Sequence, residues 1–212
     1  MNKHIPMLKK CIAALAGIFL VGVGVAFNAM AHLGNDPVGI FYDGIRNFLG
    51  LTQVQLGIAS NIVNLTIVVI LLFIARQYVN IGTVIYLLPY GNFVDVGTKI
   101  YLHVFSQAVF WQRVVAVVIG CFLIFLGVAI YIAVNIGVDP MTGVALFIGD
   151  KLKLPYKKAK VIYDISITTI GFLLGGKLGV VTVISALIAG PIIQKLSEFV
   201  TRLASRMEKV VE

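Results

Sequence analysis

Leu33-Gly34-Asn35-Asp36-Pro37 closes the first long apolar segment of the chain, and Ile136-Gly137-Val138-Asp139-Pro140 closes the fourth. Outward from these steps, an offset of 103 pairs Gly17 with Gly120, Phe19 with Phe122, Leu20 with Leu123, Gly24 with Gly127, Val25 with Val128 and Ala26 with Ala129. Adding Gly34/Gly137, Asp36/Asp139 and Pro37/Pro140 gives nine identities in the 21 positions from Gly17 to Pro37. That is too many for unrelated apolar segments, and we read an internal duplication. At an offset of 99, Thr83-Val84-Ile85 matches Thr182-Val183-Ile184, Leu88 matches Leu187 and Gly91 matches Gly190. The changed offset places a four-residue deletion in the loop around residues 76–80.

Composition sets the class. The 212 residues are 59% hydrophobic and 12% charged, with mean hydropathy +1.00. Soluble domains carry about 25% charged residues, so an integral membrane protein is expected, with little chain left for a soluble domain. Cys11 and Cys121 lie in apolar segments and suggest no disulfide framework. Lys3, Lys9, Lys10 and the Ala29-Met30-Ala31 run resemble a secretory leader, but the apolar run is too long for one. Its copy lies mid-chain, so we expect a retained transmembrane helix.

A helix needs roughly 20 mostly apolar residues to cross the hydrocarbon core. Spans are expected near 11–33, 55–75, 81–102, 113–135, 159–176 and 179–201. After each Asp-Pro step comes an element too short to span, about 37–49 and 140–152. The first is amphipathic, with Ile40, Phe41, Ile45, Phe48 and Leu49 opposite Asp43, Arg46 and Asn47. It should lie in the interface or re-enter the membrane. The expected fold is all-α and polytopic, a single membrane domain with six transmembrane helices as two inverted three-helix repeats. The repeats run about 8–104 and 111–204, ahead of a short basic tail at 205–212.

Charge fixes an expected orientation. With the N-terminus inside, inner segments hold Lys3, Lys9, Lys10, Arg76, Lys151, Lys153, Lys157, Lys158, Lys160, Lys195, Arg202, Arg206 and Lys209. Outer segments hold only Arg46, Lys99, Arg113 and Lys177. Basic residues favour the cytoplasmic side, so both termini should be cytoplasmic. Three spans per repeat, an odd number, makes the halves inverted on independent grounds. The net charge of +8 then points to anionic lipid of the inner leaflet rather than nucleic acid.

Polar residues within the spans are the candidate site. Asp36 and Asp139 can cap the short helices, with Pro37 and Pro140 at the first helical position. Gly34 and Gly137 let the chain reverse. The same steps could also aim two helix N-termini into a central cavity. Pro89 with Gly91 and Asn92, and Gly190 with Pro191, should interrupt the third and sixth spans. Paired interrupted spans are the best sequence pointer to a transporter site. Asn61, Asn64, Asp95, Asp164, His32 and Asn135 complete the polar set, and Asn61 aligns with Asp164 and His32 with Asn135. Asp164 has an i,i+4 partner in Lys160, and Asp95 one in Lys99. His32 can be an interfacial hydrogen-bonded histidine, and Asn61 and Asn64 can bond between helices. Tyr86, Tyr90, Tyr131 and Tyr163 are either membrane-interface residues or cavity lining.

No HExxH, GxSxG or GxxxxGK[ST] motif and no Cys/His cluster is present, so no enzyme, cofactor or metal is expected. The run Gly22-Val23-Gly24-Val25-Ala26 through Ala31-His32-Leu33-Gly34-Asn35-Asp36-Pro37, with its later copy, resembles the YczE/YyaS/YitT group of bacterial membrane proteins. The resemblance implies a six-span fold in the bacterial inner membrane and no particular substrate. The first functional expectation is a small secondary transporter or facilitator of a small solute, with a site between the repeats. The second is an accessory or regulatory subunit docking a partner protein through its basic loop 150–160 and its tail. A substrate-binding subunit of a larger transporter is a third, and a homo-oligomer fits any of them.

Overall fold

The computed structural model describes residues 6–105 and 109–211, with side chains described through residue 204. Lys3 lies outside the described residues, as do the side chains of the basic tail, Arg206 and Lys209 among them, which enter the charge argument. The helices are α1 (Met7–Ala31), α2 (Pro37–Phe48), α3 (Leu56–Ile74), α4 (Ile81–Leu87), α5 (Tyr90–Val104), α6 (Phe110–Val134), α7 (Pro140–Leu152), α8 (Tyr156–Leu173) and α9 (Val180–Val211). No strand occurs among the described residues. Among the described residues, four stretches are long and apolar enough to cross a membrane: Met7–Ala31, Gln53–Ile74, Phe110–Val134 and Val180–Ala204. An all-helical chain with four such stretches is a membrane protein.

The remaining two expected spans look different. The third is split at Leu88–Pro89 into α4 and α5, because Pro89 can neither donate a helix hydrogen bond nor tolerate the preceding turn. The fifth, α8, carries Lys157, Lys158, Lys160 and Asp164 in its first nine residues, too polar a start for the simple apolar rule. The expected break at Gly190–Pro191 is absent, since α9 runs on through Pro191. Gly190 has no Cβ to clash with the proline ring, so the helical conformation stays open to it. Pro191 still lacks the N–H that would bond one turn back.

The core is the crossing of α1 and α6. A Cβ on Gly17 would lie 2.8 Å from the Gly127 carbonyl oxygen, and one on Gly24 would lie 2.5 Å from that of Gly120. Residue numbers rise on one helix as they fall on the other, so the two run antiparallel. Around the glycines, Ala14, Ile18, Val25, Ala26 and Ala129 are buried, at 2% exposure or less. Small residues let the backbones meet, which is how helices associate in an apolar medium.

Two hydrogen bonds tie the segments together. The Gly82 N–H donates to the Ile136 carbonyl, and the Val181 N–H donates to the Leu33 carbonyl, each at 3.2 Å. One joins the start of α4 to the glycine step after α6, and the other joins the start of α9 to the glycine step after α1. At those steps Gly34 and Gly137 have φ of 103° and 143°, values that a side chain would strain.

The step after α1 turns the chain back on itself. Asn35 Nδ2 donates to the Val25 carbonyl at 3.2 Å, about 9 Å below the end of α1 at 1.5 Å per residue. After α2, Gln53 Nε2 bonds the Ala29 carbonyl, so α2 starts deep and ends near the level at which α1 stops. Its polar face does not look into water. Asp43 and Arg46 are buried and joined at 2.8 Å, Arg46 Nη1 donates to the Leu51 carbonyl, and Asp43 accepts the Lys177 N–H. Asn47, whose amide donates to the Leu174 carbonyl at 3.0 Å, is exposed together with Phe48 and Leu49. The element packs between α3 and α8.

Candidate functional site

The first turn of α2 is capped by Asp36, whose Oδ1 accepts the Gly39 N–H at 3.3 Å. Asp139 caps α7 in the same way, accepting the Thr142 N–H at 3.0 Å and its hydroxyl at 2.5 Å. Both aspartates have extended backbone, and Pro37 and Pro140 sit at the first helical positions. The capping expectation is met at both steps. Both carboxylates are only half-buried.

Between these helix starts lies a cluster of tyrosines. Tyr86 stacks on Tyr90 with centroids 4.8 Å apart, Tyr90 tilts against Tyr42 at 5.7 Å, and Tyr131 meets Tyr86 edge-on at 5.8 Å. Tyr42 and Tyr90 are 0% and 1% exposed. Tyr42 donates to Asn64 Oδ1 at 3.0 Å. The charges of both Asp36 and Asp139 act on Tyr90 and on Tyr163, so the two caps share one neighbourhood. Tyr163 donates to Met141 Sδ at 2.8 Å. Asn64 Nδ2 and the Tyr131 hydroxyl are buried there without a protein partner, an outlay that buried polar groups seldom leave unmatched.

Of the sequence candidates, Asp36, Asp139, Asn64, Tyr86, Tyr90 and Tyr131 come together here. Asp164 sits at the margin, ion-paired to Lys160, whose ammonium also lies 5.5 Å from the Tyr163 ring centre. Asn61 and Asp95 are used elsewhere, in a reciprocal pair of caps. Asn61 Oδ1, on α3, accepts the Gly91 N–H at the start of α5 at 3.0 Å. Asp95 Oδ1, on α5, accepts the Gly57 N–H at the start of α3 at 3.2 Å. Neither helix has a side-chain cap of its own, so each borrows one from its neighbour. Asn92 lies on the exposed side of α5, away from the tyrosines.

His32 and Asn135 also fall outside the cluster. They end α1 and α6 in the left-handed conformation, with φ of 57° and 52°, which explains their alignment as matched helix stops. His32 Nδ1 is 3.2 Å from Lys177 Nζ. Burial first, and then the Lys177 charge, hold the histidine's pKa below its ordinary 6.5. Pro191 and Gly190 lie on the exposed face of α9.

Sequence reasoning missed Tyr42 and the buried Asp43–Arg46 pair. Tyr42 aligns with Ala145, so the duplication gave no signal for it. Beside the cluster, Phe41, Ile67, Leu71, Val144, Ile148 and Tyr163 line an apolar groove of about 320 Å³. Among the described residues, no three His, Cys, Asp or Glu side chains are placed to hold a metal ion.

Comparison with known proteins places the chain. Residues 8–198 match a family described as a family of unknown function, DUF6198. A Haemophilus influenzae protein described as uncharacterized is 24% identical over 189 residues, covering 89% of this chain and 84% of that one. No solved structure matches. A match over so much of its length shows that the chain belongs to the DUF6198 family.

Proposed function

We propose that the protein is a small secondary transporter or facilitator of a small polar or charged solute, with its site at the middle of the membrane between two inverted three-span repeats. The observation that carries this reading is that two capped helix starts, Asp36-Pro37 and Asp139-Pro140, both bear electrostatically on one buried tyrosine cluster. Half-helices whose N-termini reach a shared midplane site are a recurring transporter device.

The symmetry of the contacts supports the inverted arrangement. Shifting each residue by the repeat register turns the Gly17–Gly127 contact into Gly120–Gly24, the contact made on the other side of the crossing. The same exchange turns the Gly82–Ile136 hydrogen bond into Val181–Leu33. An operation that swaps the halves of an antiparallel pair is a two-fold axis across the helices. In a bilayer that axis lies in the membrane plane. In this reading α4 with α5 forms a third, broken span and α8 a fifth, as in the YczE/YyaS/YitT group that the sequence resembles.

Charge supports both termini lying on the cytoplasmic side of a bacterial inner membrane. Arg46, Arg113 and Lys177, three of the four basic residues assigned outside, all act on His32. The lysine-rich start of α8 lies at the opposite end and suits contact with anionic lipid.

A thermal-stability screen of small solutes, run on the purified protein beside Asp36→Asn/Asp139→Asn, tests the site. A bound solute at about 100 times its dissociation constant adds roughly 2.7 kcal/mol, which a melting curve resolves. A solute that stabilises the protein but not the folded double variant supports the reading. A broad panel without a hit removes it in favour of an accessory subunit.

A further inference from the structure

The charge balance at the cluster narrows the solute. Three ion pairs occur among the described residues, Arg46–Asp43, Lys160–Asp164 and Arg202–Glu198, and neither Asp36 nor Asp139 belongs to one. The positive charge that acts on Asp36 is that of Lys160, and Asp164 already holds it. What offsets the two caps is their own helices. Each helix start is worth about half a positive charge, which leaves roughly one negative charge between the two aspartates. Both aspartates are half-buried and so only partly solvated, and a monovalent cation would complete the balance.

The surroundings say what kind of cation. Four tyrosine rings crowd the space, and ring faces attract ammonium groups. The chain already seats one ammonium in this manner, Lys160 between the Asp164 carboxylate and the Tyr163 ring. Asn64 adds an amide end with no partner, and it can present oxygen or nitrogen because the Tyr42 hydroxyl bonds to either. A bare inorganic ion would leave the adjoining groove of about 320 Å³, lined by Phe41, Ile67, Leu71, Val144, Ile148 and Tyr163, without a use. Pockets of this volume suit small organic molecules.

We propose that the cluster between Asp36 and Asp139 binds a monovalent organic cation, an ammonium group bearing an apolar chain. The charged head lies among Tyr42, Tyr86 and Tyr90, and the chain follows the groove past Tyr163. This assignment rests on the transporter reading and supplies its substrate class. The same chemistry is carried by a free amine and by the ammonium headgroup of a lipid.

The test is equilibrium binding to the full chain in nanodiscs of phosphatidylglycerol, which has no ammonium group. Hexyltrimethylammonium, hexanoate, 1-hexanol and potassium ion are the probes. Only hexyltrimethylammonium should bind. Its dissociation constant should rise about tenfold or more in Asp36→Asn and in Asp139→Asn, and about tenfold in Tyr90→Leu, while Tyr90→Phe keeps the ring and the affinity. Since both Asn variants keep a cap, a folding failure would show first in Tyr90→Leu, and Tyr90→Phe then carries the comparison. Adding phosphatidylethanolamine separates the sources: competition assigns the seat to a lipid headgroup, and unchanged binding assigns it to a free amine. Binding of hexanoate, hexanol or potassium as tightly as the cation overturns the assignment and leaves the transporter reading standing. Silence of all four probes while the solute screen finds another ligand does the same. Silence in both experiments removes both.

Discussion

Gly24 of α1 crosses Gly120 of α6 so closely that a Cβ on Gly24 would sit 2.5 Å from the Gly120 carbonyl oxygen and 2.7 Å from Ile124 Cγ1. No rotamer relieves a clash with backbone. Gly24→Val should therefore cost about 1–3 kcal/mol or more. For a chain of this length that lowers the melting temperature by about 2–4 °C per kcal/mol. Gly127→Val, facing the Gly17 carbonyl at the matching point, should fall by a similar amount. Leu187→Ala on the exposed face of α9 should stay within about 0.5 kcal/mol of wild type. If Gly24→Val melts like Leu187→Ala, the helices do not meet at these glycines.

Thr83 stands where one half docks on the other. Its hydroxyl donates to the Val138 carbonyl at 2.7 Å and accepts the Asn80 N–H at 3.2 Å, and the residue is wholly buried. Thr83→Val keeps the shape and strands both backbone groups, at about 1–3 kcal/mol for each buried group left unpaired. Its repeat mate Thr182 accepts only the Gly179 N–H, at 3.3 Å, so Thr182→Val should cost less. Denaturation in detergent should rank the two in that order, and a reversed order would place the main docking bond elsewhere.

The matched residues at offsets of 103 and 99 make part of this architecture legible in the residues alone. Asp36-Pro37 and Asp139-Pro140 match at an offset of 103, and both steps begin a capped helix. The short helices at 37–48 and 140–152 fall within one residue of expectation because Asp-Pro defines a start. Asn61 and Asp95 are visible as polar groups in apolar segments. Their work as borrowed caps is not, since it depends on α3 and α5 lying antiparallel with Gly57 and Gly91 in contact. Tyr42 escapes because nothing local separates a tyrosine packed at the centre from one on a helix surface. Pro191 misleads because a proline preceded by glycine can stay within a helix.

His32 should make stability depend on pH. Its pKa is lowered by burial, then by Lys177 and Arg113, with Asp43 opposing and Arg46 adding to the effect. The folded protein therefore binds this proton less readily than the unfolded chain, whose histidine titrates near 6.5. The stabilising contribution is whole above that value and is lost as the pH falls through it. Melting temperatures between about pH 5 and 8 should drop on the acid side in wild type. The slope attributable to His32 should vanish in His32→Gln and shrink in Lys177→Met, where the 3.2 Å neighbour loses its charge. An unchanged slope in both variants would separate it from this histidine.

The number of crossings can be counted with two cysteines. Val54, just before α3, and Lys157, in the first turn of α8, are both exposed. They can be replaced by cysteine one at a time in a Cys11→Ser/Cys121→Ser background. If only the four long apolar stretches cross, the chain passes the membrane twice between these positions, at Gln53–Ile74 and Phe110–Val134. Both cysteines would then react from the same side. In the six-span reading α4 with α5 adds a third crossing, and the two cysteines face opposite compartments. Basic residues near α8 and few near α3 then set the sign. A membrane-impermeant maleimide should label the cysteine at 54 in intact cells and the one at 157 only after lysis. Labelling of both from one side would remove the broken span, and with it the odd count on which the inversion of the halves depends.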